Sequence, residues 1–295
     1  MKKLFYIAMA AFTLTLGGCS PKETADSVMA RYVPERRDDF VWENDKICYR
    51  AYGPSLESET LSPGFDIWVK KPGALVADKW YAAELEEPGY YHHDHGEGKD
   101  CYKVAKSLGG GASSPIVTDP ETGEVALVFP DHNYSGYEVE KISPDEINFT
   151  LKYSPWQVGP YKVSLRKKIP VTAGSYFCKC EDIYDGDFET LDVFAGIIKH
   201  DVKQLEMEGD IIAFWEAASD QSAEPEDGMI GLGLYVPGAD RIGEDGPANH
   251  AGAVRTVSPG ESIEYYFGSC WSKGEITSFE KWLGKMDELY KTVNN

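Results

Sequence analysis

The chain has 295 residues, with 49 Asp or Glu against 29 Lys or Arg, a formal net charge of −20. That balance argues against nucleic acid or an anionic membrane face as a partner, since both reward positive charge. The length allows one large β domain or two small ones.

The first 19 residues, "MKKLFYIAMAAFTLTLGGC", pair Lys2 and Lys3 with an apolar run from Leu4 to Leu16 and small residues before Cys19. Such a run is too short to span a bilayer and reads as a signal peptide over residues 1–18. Leu16-Gly17-Gly18-Cys19 resembles a bacterial lipobox, which makes Cys19 the lipidation site and the new N-terminus. Residues 19–30, beginning "CSPKETADS", are polar and aperiodic and read as a tether. The protein is then exported and held by its acyl chains at a periplasmic membrane face or the cell surface, its one contact with a membrane.

Short strand-like runs follow. "KICYRAY" (46–52), "GFDIWVKK" (64–71), "EVALVF" (124–129), "EINFTLKYS" (146–154), "YKVSLRKKI" (161–169) and "IEYYFG" (263–268) are rich in β-branched and aromatic residues. Ile147, Phe149, Leu151 and Tyr153 alternate with Asn148, Thr150 and Lys152, the pattern of a strand with one buried face. Turn signals separate the runs at 119–124, 143–146 and 237–240, and residues 220–228 read as a long surface loop. From Ile276 onward the apolar spacing changes. Phe279, Trp282, Leu283, Met286, Leu289, Tyr290 and Val293 predict one amphipathic helix over residues 277–293, with a capping box at 277–280. Residues 31–295 thus read as one mainly antiparallel β domain, a sandwich or barrel, closed by a C-terminal helix. Five cysteines remain once Cys19 is lipidated. Cys178 and Cys180, two apart, are poorly placed to pair, and a bond among Cys48, Cys101 and Cys270 stays open.

"GYYHHDHGEGKDCYKV" (89–104) holds three of the six histidines within four positions. On an extended chain His92 and Asp94 would share one face, and His93 and His95 the other. Each face then carries a donor–acceptor pair, which suits proton transfer near neutral pH. Each face also carries only half of a metal shell, so no cofactor is required; a divalent metal on His92, Asp94 and His95 is the alternative. Gly96 and Gly98 let the backbone approach a ligand closely. No nucleophile elbow, HExxH or phosphate loop is present.

Three blocks, "RYVPERRDDFVWENDKICYRAYGPSL" (31–56), "YHHDHGEGKDCYKVAKSLGGGAS" (91–113) and "YYFGSCWSKGEITSFEKW" (265–282), resemble a family of exported bacterial lipoproteins, the domain of unknown function DUF4861. Its members are commonly encoded beside polysaccharide-degrading enzymes, often ones handling uronic acids. The resemblance implies a β-supersandwich of the galactose-mutarotase type and no established reaction. It also implies a further strand-rich segment ahead of Arg31, where this chain has its tether. His92, Asp94, His95, Gly96, Gly98, Asp100 and Tyr102 fall on the family's recurring pattern. His93 stands where an apolar residue is usual.

These readings converge on a carbohydrate-active protein. It would carry out acid–base chemistry, either isomerisation or epimerisation, or glycosidic or uronyl bond cleavage, on an oligosaccharide containing uronic acid. His92 or His95 is the expected acid or base, with Asp94 and Glu97 assisting. Arg50 is expected to neutralise a substrate carboxylate, bidentately if geometry permits. Asp100, Tyr102, His200 and Trp271 are the further candidate binding residues. The alternative is a glycan-binding lipoprotein without catalysis, gripping sugars with aromatic rings such as Trp68, Trp215 and Trp271.

Overall fold

Alternation along the chain builds the sheets. In the strand Glu146–Val158, Ile147, Phe149, Leu151 and Tyr153 are buried while the residues between them are partly exposed. The computed structural model describes residues 26–59, 61–243 and 246–295; the leader and Cys19 lie outside them. Its widest sheet has eight strands in the order Asp201–Glu208, Ile211–Ala217, Met229–Tyr235, Ser262–Trp271, Phe177–Gly186, Tyr161–Thr172, Glu146–Val158 and Gly136–Ser143. A second sheet runs Val28–Val33, Asp39–Asn44, Cys48–Ala51, Phe65–Lys70 and Gly98–Asp100. A third runs Arg241–Gly243, His250–Val257, Leu191–Ile198, Ala112–Thr118 and Val125–Leu127. The ladders joining these strands are antiparallel.

Both five-stranded sheets lay their inner faces on the eight-stranded one, and a single core joins all three. Trp42 meets Phe149 at 5.1 Å, and Tyr49 meets Phe267 edge-on at 5.2 Å. Such ring pairs supply both apolar burial and orientation. The protein is therefore mainly β and consistent with a β-sandwich. A charged pair is buried in the core: Lys167 Nζ reaches its cross-strand partner Asp182 at 2.6 Å, and Asp182 also accepts from Ser113, Tyr265 and Cys180. Four donors on one carboxylate meet the requirement that a buried charge be both paired and hydrogen-bonded.

Helix α2, Phe279–Asn294, lies on the outer face of the wide sheet and begins two residues later than its spacing predicts. Ser278 caps it, accepting from Lys281 N. Trp282 is fully buried, stacks on Phe177 at 5.2 Å and donates from Nε1 to Leu232 O. Met286 seats against Gly233, where an added Cβ would come within 2.3 Å of its sulfur, so any side chain there would have to displace the thioether. Among the described residues, no helix is long and apolar enough to cross a membrane.

A second helix, α1 (Ala77–Glu86), was not expected from the sequence. It covers the outer face of the sheet that begins at Val28, with Trp80 and Tyr81 packed on Val41, Cys48 and Trp68. Its N-terminus is held from a distant strand: Glu43 accepts Val76 N at 2.7 Å and Ala77 N at 2.9 Å, and Lys70 Nζ binds the same carboxylate at 2.6 Å. A carboxylate at this end satisfies free N–H groups and complements the helix dipole. The strand Val28–Val33 starts inside the stretch read as tether, because Val28 and Ala30 are buried in the core. Cys48, Cys101, Cys178, Cys180 and Cys270 are all buried and free, so no disulfide staples the described fold.

Candidate functional site

Residues 89–97 do not form the extended stretch that the His–Asp pairing assumes. Tyr90–His92 is a 3-10 turn entered through Gly89 at φ 92°, and the chain then bends back on itself. Asp94 Oδ1 accepts Gly96 N at 2.8 Å and Gly98 N at 3.2 Å, closing the loop locally. His95 lies flat on Tyr90 at 3.8 Å and hydrogen-bonds Tyr90 O through Nε2 at 3.0 Å. Glu97 pairs with Lys79 at 2.7 Å, which holds its carboxyl below the usual range. His93 is exposed. The described residues contain no group of three or more His, Cys, Asp or Glu placed to hold a metal, so His92, Asp94 and His95 do not assemble as ligands.

His92 alone faces the interior charges. Its Nδ1 donates to Asp100 O at 3.3 Å and stands 3.8 Å from Asp100 Oδ2, with about 30 % of the side chain still exposed. With Nδ1 donating to that carbonyl, Nε2 is the ring nitrogen left without a partner among the described residues. Behind it sits a charge network enclosed on the outer face of the sheet, with Arg50 Nε and Nη1 left without a hydrogen-bond partner among the described residues. Arg50 is the cross-strand partner of Asp66, and Trp68 that of Asp100, so alternation brings all four side chains to one face. Arg50 Nη2 donates to both Asp66 Oδ2 and Asp100 Oδ2.

Burial raises the proton affinity of Asp100, and the neighbouring Asp66 charge adds to it, against the pull of Arg50. Burial likewise raises Asp66, opposed by Arg50. For Arg50, burial works against the charged form, yet Asp66 and Asp100 outweigh it and push its pKa well up. Its guanidinium lies 5.1 Å from the Tyr52 and Trp68 ring centres and 5.5 Å from that of Tyr91. At 4 % exposure Arg50 is caged by protein carboxylates and aromatics, not presented to a substrate.

Asp39, on the same face, is 0 % exposed and pushed up to about 6 by burial, against the nearby Arg50 and Arg36. Between about pH 4 and 6 the folded protein therefore keeps a proton that the unfolded chain releases. The stability contributed by that proton is complete below the ordinary carboxylate range and is lost as pH rises through the folded value. Relative to Asp39→Asn, the wild type is expected to lose about 3 kcal/mol between pH 3 and pH 7. Chemical denaturation of both proteins across that range measures it, and a pH-independent gap would refute the assignment.

The remaining predicted residues lie further along the same segment. Tyr102 is 2 % exposed, and its hydroxyl has no hydrogen-bond partner among the described residues. Burial, then the charge of Glu216, pushes its pKa well up. Its ring meets His200 edge-on at 5.2 Å, and His200 Nδ1 donates to the buried Glu216 at 2.8 Å. Trp271 is buried and donates to Asp227 O at 2.7 Å, so it anchors a loop and offers no stacking face. The structure thus gathers His92, Asp100 and Arg50 at one point and Tyr102 with His200 beside it. Asp94, His95 and Glu97 stay in the self-bonded turn.

Asp66, Glu216 and Asp220 belong to this constellation and were not singled out in the sequence. Asp66 could have been found by alternation in "GFDIWVKK", which puts it on the face of Trp68 and Lys70. Asp220 acts on the charges of Asp66 and Asp100, and lies in the stretch that reads as loop. A groove of about 700 Å³ lies elsewhere, between α2 and the hairpin at residues 206–211, lined by Glu206, Glu208, Asp210, Leu283, Met286 and Asp287. None of the predicted site residues lines it.

A family profile described as "Domain of unknown function (DUF4861)" matches residues 13–295. The chain belongs to the DUF4861 family. The "Uncharacterized protein P7" of Formosa agariphila is 30% identical over 284 residues, which covers 89% of this chain and 68% of that protein. In this DUF4861 member the family block 91–113 contributes both the self-bonded turn and the buried strand end at Asp100.

Proposed function

We propose that this protein is an exported, lipid-anchored enzyme acting by proton transfer on a carbohydrate, with His92 as the acid–base group. The observation that carries the reading is His92 itself. It is a half-exposed imidazole whose Nδ1 is fixed by the Asp100 carbonyl and faces a buried carboxylate, leaving Nε2 free for a ligand. Asp100 takes the assisting role expected of Asp94, and Asp66 and Arg50 hold Asp100 in place. Such a partner orients the ring and stabilises the imidazolium formed on proton uptake.

The substrate class is an oligosaccharide containing uronic acid. Recognition of its carboxylate passes from the caged Arg50 to exposed cations on the rim of the histidine turn. Lys71 Nζ reaches Gly96 O at 2.9 Å, and Lys273 Nζ stands 3.7 Å from Asp94. Binding by aromatic capture alone is not favoured, because Trp68, Trp215 and Trp271 are 1%, 5% and 2% exposed. The anchor rests on the sequence "LGGC" ending at Cys19. A Cys19→Ser protein should lose acyl labelling and leave the membrane fraction; continued acylation would overturn that part.

The enzymatic reading is tested by incubating the purified protein with uronic-acid-containing and neutral oligosaccharides, with and without chelator. Product analysis by NMR should show a new linkage state or configuration that survives chelation. Tight binding with no chemical change would make the protein a glycan-binding lipoprotein. Turnover abolished by chelator would move the chemistry to a metal.

A further inference from the structure

We propose that Asp220 is the second proton-transfer group of this site, set opposite His92 across the scissile bond of a glycoside. The inference rests on the reading of His92 given above. The loop after the strand Ile211–Ala217 is stitched over the segment 99–101. Ser219 N and Asp220 N both donate to Cys101 O at 3.2 Å. The buried Lys99 Nζ donates to Ser222 O at 2.9 Å and to Asp227 Oδ2 at 3.0 Å. A loop tied down by a buried ion pair and backbone bonds is a rigid carrier for the side chain it presents.

The meeting point is the Asp100 carbonyl. His92 Nδ1 lies 3.3 Å from it, Ser222 Oγ lies 2.8 Å from it, and Ser222 Oγ is 3.0 Å from Asp220 Oδ2, so imidazole and carboxylate are within about 9 Å. Both are partly exposed, while Asp66, Asp100 and Arg50 are buried. Tyr91 and Tyr52 flank the same cage, at 4.7 Å from His92 and 5.1 Å from Arg50. The bound of about 9 Å between imidazole and carboxylate lies within the range over which an acid and a base can flank a sugar bond and a water molecule.

The step balances without a co-reactant. The Asp220 carboxylate takes a proton from water as the water oxygen bonds to the anomeric carbon. The glycosidic C–O bond breaks, its electron pair goes to the departing oxygen, and the His92 imidazolium gives that oxygen a proton from Nε2. Imidazole and carboxylic acid then return to their starting states by exchange with solvent. Lys99 and Asp227 are positioning residues, because they act through the loop.

Two measurements test the pair. The first needs no substrate. The NMR titration midpoint of the His92 imidazole should fall by about 0.3–1 pH unit in Asp220→Asn at low salt, since a carboxylate within 9 Å favours the imidazolium. The fall should shrink as salt is added. A midpoint that stays within 0.1 unit overturns the pairing. The second compares native oligosaccharide linkages with p-nitrophenyl glycosides of uronic and neutral sugars. His92→Gln should lose at least 100-fold on native linkages and much less on nitrophenyl glycosides, whose leaving group needs no proton, whereas Asp220→Asn should lose about equally on both. A loss in Asp220→Asn confined to native linkages overturns the base role. A wild type inert on every glycoside sinks the enzymatic reading itself, and the titration then decides the pairing on its own.

Discussion

Replacing His92 by glutamine is expected to lower turnover by about two to four orders of magnitude while leaving the fold intact. Glutamine keeps a hydrogen-bonding side chain near the Asp100 carbonyl but cannot accept and release a proton at neutral pH. The site is half exposed, so little packing is lost, and the unfolding midpoint should stay close to wild type. His93→Ala and His95→Ala are the controls. His93 is exposed and His95 lies on Tyr90 in the self-bonded turn, so both variants should keep most of the activity. A loss confined to His95→Ala would move the proton transfer to the turn.

Arg50→Met should cost about 3–5 kcal/mol of stability, far more than a surface binding residue would. The guanidinium is the shared donor to Asp66 and Asp100 and lies 4.0 Å from Asp39. Removing it leaves the buried Asp66 and Asp100 without their cation and Asp39 with Arg36 alone. Their folded-state proton affinities then rise further above the unfolded values, so the variant's deficit should grow as pH rises from about 4 to 7. Asp66→Asn placed on the Arg50→Met background should recover part of the loss. A deficit under 1 kcal/mol that ignores pH would mean that the network is not enclosed as described. It would also restore Arg50 as a candidate for substrate carboxylates.

Strand positions were legible because one face of each strand is apolar. "EINFTLKYS" and "YKVSLRKKI" both fall inside long strands of the wide sheet. Helix α2 was legible through its three-four spacing and its serine cap. Helix α1 was not, because it is short and its N-terminal N–H groups are satisfied by Glu43 from a strand more than thirty residues earlier. That single omission changed the reading of the site. Without α1 and the turn at Tyr90–His92, the outer face of the strand Cys48–Ala51 looks open and Arg50 looks free to meet a ligand. With them, the same face is a covered charge network.

The histidine turn misled for a related reason. Period-two alternation holds only on an extended chain, and the left-handed glycines at 89 and 96 bend it. His92 meets Asp100 because it ends the 3-10 turn next to the short strand carrying that residue, a contact that the spacing of the block permits but does not dictate.

The central claim, proton transfer through His92 on a carbohydrate, is tested most directly by giving wild type and His92→Gln the same panel of uronic-acid-containing oligosaccharides and following product by NMR. The expected result is turnover of at least one oligosaccharide by the wild type, unaffected by chelator, and a loss of about 100-fold or more in the variant at an unchanged unfolding midpoint. Equal turnover by the two proteins, or binding by both with no product from either, would contradict it.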